Sequence, residues 1–90
     1  MSDVIYKYGP FNINGGTVEF NGTPVHVGYQ DVGFAHASYE VFIWCRLEYG
    51  YNNPSSKAKI VATGEEYTGR YIGTVVMPSG LVWHVVEMVE

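Results

Sequence analysis

Trp44 and Arg46 stand two residues apart in FIWCRL, a spacing that aims both side chains at one side of a β-sheet. An indole can stack on a nucleobase and a guanidinium can pair with a phosphate, so this pair carries the two contacts that nucleotide recognition needs. A second stretch, ATGEEYTGR (62–70), gathers small residues, hydroxyls, Tyr67 and Arg70, with Tyr71 directly after it. Backbone amides at such turns can hold anions. Near the end of the chain Trp83 and His84 are adjacent in LVWHVVEMV, and in a strand adjacent residues face opposite ways. The expected ligand-binding residues are therefore Trp44, Arg46, Tyr67, Arg70, Tyr71 and His84. Trp44, Tyr67 or Tyr71 would stack on a base, Arg46 and Arg70 would pair with phosphates, and His84 would hydrogen-bond ribose or phosphate. The plainer reading of His84 is a hydrogen-bonded structural histidine, and of Trp83 a core residue.

Other chemistries lack their parts. His26, His36 and His84 lie in separate segments with no close His or Cys partner, so no metal site is expected. Cys45 is the single cysteine, and alternation puts it on a core face, where a thiol stays protonated and inert. Glu65 and Glu66 are neighbours in a loop and read as a solvated turn. No phosphate-cradling glycine motif occurs. The expectation is a protein that binds without catalysing and needs no cofactor.

Nine acidic side chains against five cationic ones give a net charge of −4, whereas nucleic-acid binders carry a basic stripe, so a DNA or RNA polymer is not an expected partner. One or two arginines still suffice for a small anion. Hydrophobic residues make up 47% of the chain and charged residues 16%, more apolar surface than one domain of 90 residues easily hides, which points to a homodimer. MSDVIYKYGPF lacks the basic start and apolar run of a signal peptide, no stretch has the roughly 18 apolar residues of a membrane span, and a lone thiol fits a reducing compartment. The expected setting is cytoplasmic, with no membrane partner.

Glycine, proline and asparagine recur every few residues, and the segments between them are rich in Val, Ile, Tyr and Thr, so the elements that must position these side chains are strands. VIYKY (4–8), TVEF (17–20) and PVHVGYQ (24–30) read as a meander, with Asn21-Gly22 favouring a tight hairpin between the second and third. SYEVFIWCRLEY (38–49) is the longest strand. Tyr39, Val41, Ile43, Cys45 and Leu47 share its core face, and Glu40, Phe42, Trp44, Arg46 and Glu48 the other. After the loop GYNNPSS (50–56), KAKIVAT (57–63) turns Ala58, Ile60 and Ala62 inward, and RYIGTVVM (70–77) joins LVWHVVEMV (81–89) through Pro-Ser-Gly. The expected fold is a single all-β domain over 1–90, six to seven antiparallel strands in a sandwich or small barrel.

From Pro24 to Glu87 the chain resembles a family of small, uncharacterised phage-encoded domains. PVHVGYQDVG, FIWCRL, IVATGEE, YIGTVVM and GLVWHVVE carry the likeness, the closing IGTV and LVWHV pair most specifically, while Ala62 stands where that family usually has glycine. By analogy between compact phage proteins, the chain also resembles anti-defence sponges of the Hypnos and Thoeris anti-defence type. That resemblance implies a protein of the infected bacterial cytoplasm that sequesters a cyclic ADP-ribose isomer, a host immune signal, without cleaving it. The alternative is a structural or protein-interaction module of a phage with no small-molecule ligand.

Overall fold

The computed structural model describes residues 2–50 and 52–88. Tyr51, read from sequence as part of a loop, and Val89, read as the end of the last strand, lie outside the described residues. The described chain forms seven strands, β1 (Asp3–Tyr8), β2 (Val18–Asn21), β3 (Thr23–Asp31), β4 (Tyr39–Glu48), β5 (Ser55–Ala62), β6 (Arg70–Val76) and β7 (Val82–Glu87). They make two antiparallel sheets, ordered β1-β4-β3 and β2-β5-β7-β6, packed as an open sandwich and not as a closed barrel. No helix of the described residues is long and apolar enough to cross a membrane.

The expected N-terminal meander is not what forms. β1 and β3 both pair with β4, and β2 joins β5 in the opposite sheet. Asn21-Gly22 is accordingly not a hairpin turn but the point where the chain crosses between sheets. Gly22 makes the crossing at φ +84°, donates its N–H to the Pro54 carbonyl at 3.0 Å, and presses so closely on β4 that a Cβ would stand 2.4 Å from the Arg46 carbonyl oxygen. Local turn chemistry only asks for a bend. Long strand β4, apolar enough to need a neighbour on each side, decides the pairing. The β6–β7 hairpin does form around Pro-Ser-Gly, closed by Met77 N–H to the Leu81 carbonyl at 2.7 Å.

Along the inner side of β4, Val41, Ile43 and Cys45 are buried between the sheets with Phe20, Ala58, Val75 and Val85 as expected, and Leu47 packs partly against them. Tyr39, also expected on the core face, is instead 43% exposed at the start of the strand, beyond the cover of the opposite sheet's core residues. Gly73 of β6 lies close against β3 of the other sheet, since a Cβ there would meet Val27 Cγ2 at 2.7 Å. Trp83 packs against this core while His84 faces out, so the adjacent pair is divided between the two faces of β7.

Burial pushes the Cys45 thiol up from 9.0 to about 11. A raised folded-state pKa gives stability that is complete below the unfolded value and is lost as pH rises. The protein should therefore lose stability between pH 9.0 and about 11, and Cys45→Ala should flatten that stretch of the stability curve. At neutral pH, Ellman's reagent should label Cys45 only at the rate of global unfolding. Immediate labelling of the folded protein would contradict this.

Candidate functional site

Cross-strand register builds a site on the outer face of the three-stranded sheet. Lys7 of β1, Trp44 of β4 and His26 of β3 lie in one row, and Gly28 sits opposite Phe42 in the next. The His26 and Trp44 ring centroids are 5.2 Å apart at 54°, and Phe42 and Trp44 6.3 Å apart at 59°. A Cβ on Gly28 would stand 3.0 Å from His26 Nε2 and 3.4 Å from Trp44 Cζ3, so a bare backbone leaves room for both rings.

Lys7 reaches across β4. Its Nζ lies 4.5 Å from the Phe42 ring centroid and donates to Gln30 Oε1 at 2.6 Å, an arch that leaves Phe42 only 6% exposed although it is on the outer face. Phe42 is thus sealed as a floor, Trp44 is half-buried, and Arg46 stands free at the rim. Successive same-face residues of a strand are about 7 Å apart, the reach of a base-to-phosphate span. Arg46 makes no ion pair among the described residues and borders a cavity of about 380 Å³ with Gly22, Thr23, Glu48, Asn53 and Pro54. Glu48 and Asn53 fix the far wall, through Glu48 N–H to Asn53 Oδ1 at 3.0 Å and Asn53 Nδ2–H to the Glu48 carbonyl at 3.1 Å.

The remaining expected residues lie elsewhere. On the outer face of the other sheet His84 is held by two threonines, Thr63 Oγ1 at 2.8 Å from Nε2 and Thr74 Oγ1 at 2.9 Å from Nδ1, and Tyr71 OH joins Thr74 Oγ1 at 2.5 Å. A hydroxyl beside an imidazole is the geometry of an activated nucleophile, but the group at Nδ1 here is a neutral hydroxyl. It cannot stabilise an imidazolium as a carboxylate does. The network orients His84 and gives each ring nitrogen a hydroxyl partner. Arg70 is 4.0 Å from Glu87 at the sheet edge, with its side chain 78% exposed, and Tyr67 is exposed in the loop before β6. Trp44 and Arg46 therefore share one surface, Tyr71 and His84 share the opposite one, and a single chain cannot close all six expected residues on one ligand.

Lys7, His26 and Gln30 belong to the Trp44 surface and were missing from the sequence-based set. His26 and Gln30 have the same parity in PVHVGYQ and so share one side of their strand. Only the β3–β4 register shows that this side is the one Trp44 occupies. Among the described residues no three His, Cys, Asp or Glu groups are close enough to hold a metal ion.

A family model described as Domain of unknown function (DUF7352) matches residues 1–90. No curated protein and no solved structure matches the chain.

Proposed function

The chain belongs to the DUF7352 family, and we propose that it is a non-catalytic, homodimeric binding protein whose ligand is a nucleotide-like anion held on the Trp44 surface. In its most specific form the ligand is a cyclic ADP-ribose isomer, withheld intact from a bacterial immune receptor by a phage-encoded protein in the host cytoplasm. The observation that carries the reading is the half-buried Trp44, braced by His26 at 5.2 Å, beside an unpaired Arg46 that opens onto a cavity. Braced aromatics stack on a base at little entropic cost, and a free guanidinium supplies the charge-assisted bond to phosphate. The reading rests on Trp44 and Arg46, not on Tyr67, Arg70, Tyr71 and His84.

Titration calorimetry with cyclic ADP-ribose isomers, ADP-ribose and ATP tests it. Binding is expected for at least one, and heat-denaturing the complex should release that nucleotide unaltered. Arg46→Ala should weaken binding by about 10- to 100-fold, the worth of a charge-assisted hydrogen bond. Because Arg46 is exposed, its unfolding free energy should stay within about 0.5 kcal/mol of the parent. No heat with any of these nucleotides from folded protein would sink the reading, and a chemically changed nucleotide would make the protein an enzyme.

A second reading, a protein-interaction module, draws on the end of the sandwich. Exposed Ile13, Tyr39 and Leu81 border a cavity of about 190 Å³ with Met77 and Trp83. This apolar mouth offers side-chain hydrophobes and no charge, so it suits a protein segment better than a nucleotide.

A further inference from the structure

The sandwich has four edge strands, β1 and β3 in one sheet and β2 and β6 in the other. Natural edges avoid joining other chains by being short, bulged or proline-bearing, or by setting charged side chains, lysine above all, along the edge. β2 has four residues, β3 contains Pro24 and a register shift between Pro24 and His26, and β6 has a shift between Tyr71 and Gly73. β1 is neither short, bulged nor proline-bearing, and its lysine, Lys7, is folded back across β4 onto Gln30. Its six residues pair with β4 without a shift, and the ladder continues through Tyr49 N–H to the Ser2 carbonyl at 3.0 Å. Ile5 on one face and Tyr6 on the other are 54% and 55% exposed, on a strand whose outer row of backbone groups has no sheet neighbour.

We infer that β1 is the interface of a homodimer, in which β1 pairs antiparallel with β1 of a second copy about a two-fold axis through Ile5. The axis follows from geometry and the matching of apolar residues. Directly opposed residues of an antiparallel pair lie on the same face and point their backbone groups the same way, so a strand meeting its own copy must pair odd positions with odd and even with even. The axis must then pass through a residue. Placed at Ile5, it sets Ile5 against its own symmetry mate and Val4 against Tyr6, apolar on apolar throughout the centre of the strand. Placed at Val4 or Tyr6 it sets exposed Ile5 against the charged Asp3 or Lys7. The pairing joins two three-stranded sheets into one of six strands, β3-β4-β1 continued by its copy, with both Trp44 surfaces on the same side.

The inference rests on the homodimeric part of the proposed function and not on its ligand, and it is tested without nucleotide. Cα atoms opposed across an antiparallel pair are about 4.5–5.5 Å apart, within disulfide reach. Under mild oxidation Ile5→Cys should therefore form a disulfide-linked dimer. Val4→Cys and Tyr6→Cys should not do so alone, but should cross-link when mixed, and exposed Val76→Cys serves as the collision control. In sedimentation across a micromolar concentration series, Ile5→Lys should weaken dimerisation about 10-fold or more, because it sets two like charges directly against each other. A parent protein that stays monomeric throughout overturns the inference, as does cross-linking by Val4→Cys or Tyr6→Cys alone in preference to Ile5→Cys. Either result leaves the nucleotide titration intact, and a nucleotide-free dimer linked at Ile5 stands even if no nucleotide binds.

Discussion

Ile43→Ala is expected to remove about 2–5 kcal/mol of stability, the range for truncating a fully buried aliphatic side chain and leaving a cavity. Ile43 is 0% exposed on the core face of β4, the one strand bonded on both sides in its sheet, between Tyr8 of β1 and Val27 of β3. Neighbours so constrained cannot collapse into the space, so the cost should fall in the upper part of the range. For a domain of this size each kcal/mol lowers Tm by about 4–8 °C, and total stability is about 5–15 kcal/mol, so the variant should melt far earlier or be largely unfolded at room temperature. Urea unfolding followed by the fluorescence of Trp44 and Trp83 measures it. A loss below about 1 kcal/mol would mean that the two sheets are not packed on Ile43.

Gly22→Ala is expected to cost about 2–4 kcal/mol, for two reasons that a paired control separates. The residue holds φ +84°, which costs an L side chain about 1–2 kcal/mol, and its new methyl would stand 2.4 Å from the Arg46 carbonyl and 3.0 Å from Leu47 Cγ. Gly64 has φ +90° and nothing within 4 Å of its would-be Cβ. Gly64→Ala should therefore cost only the conformational part. The excess of Gly22→Ala over Gly64→Ala reports the tight crossing between sheets, and since the strain falls on the Arg46 backbone, nucleotide affinity should drop in Gly22→Ala and not in Gly64→Ala. Equal costs would show that the crossing is looser than 2.4 Å implies.

These two predictions also mark how far sequence reaches in this protein. Period-two alternation was enough to name the strands, to put Val41, Ile43 and Cys45 inside, and to divide Trp83 from His84, because the face of a strand residue depends only on its parity. The same alternation exposed Trp44 and Arg46 together. It did not reveal that Phe42, on that outer face, is covered, since the cover comes from Lys7 and Gln30, residues 35 positions before Phe42 and 12 before it that meet over its ring only after β1 and β3 have flanked β4.

Partner choice was the part that only the tertiary structure decided. Asn21-Gly22 carries the local signature of a hairpin, and a hairpin would have paired β2 with β3. The chain instead sends β2 to β5, because pairing is settled by which arrangement buries the apolar faces of all seven strands at once, a property of no single turn. The same long-range pairing separated Trp44 and Arg46 from Tyr71 and His84 on opposite outer faces and brought His26, weighed in the sequence only as a metal ligand, against Trp44. Side-chain direction is a local property of the chain and could be read one strand at a time. Which strand lies beside which is a global one, and the site follows from it.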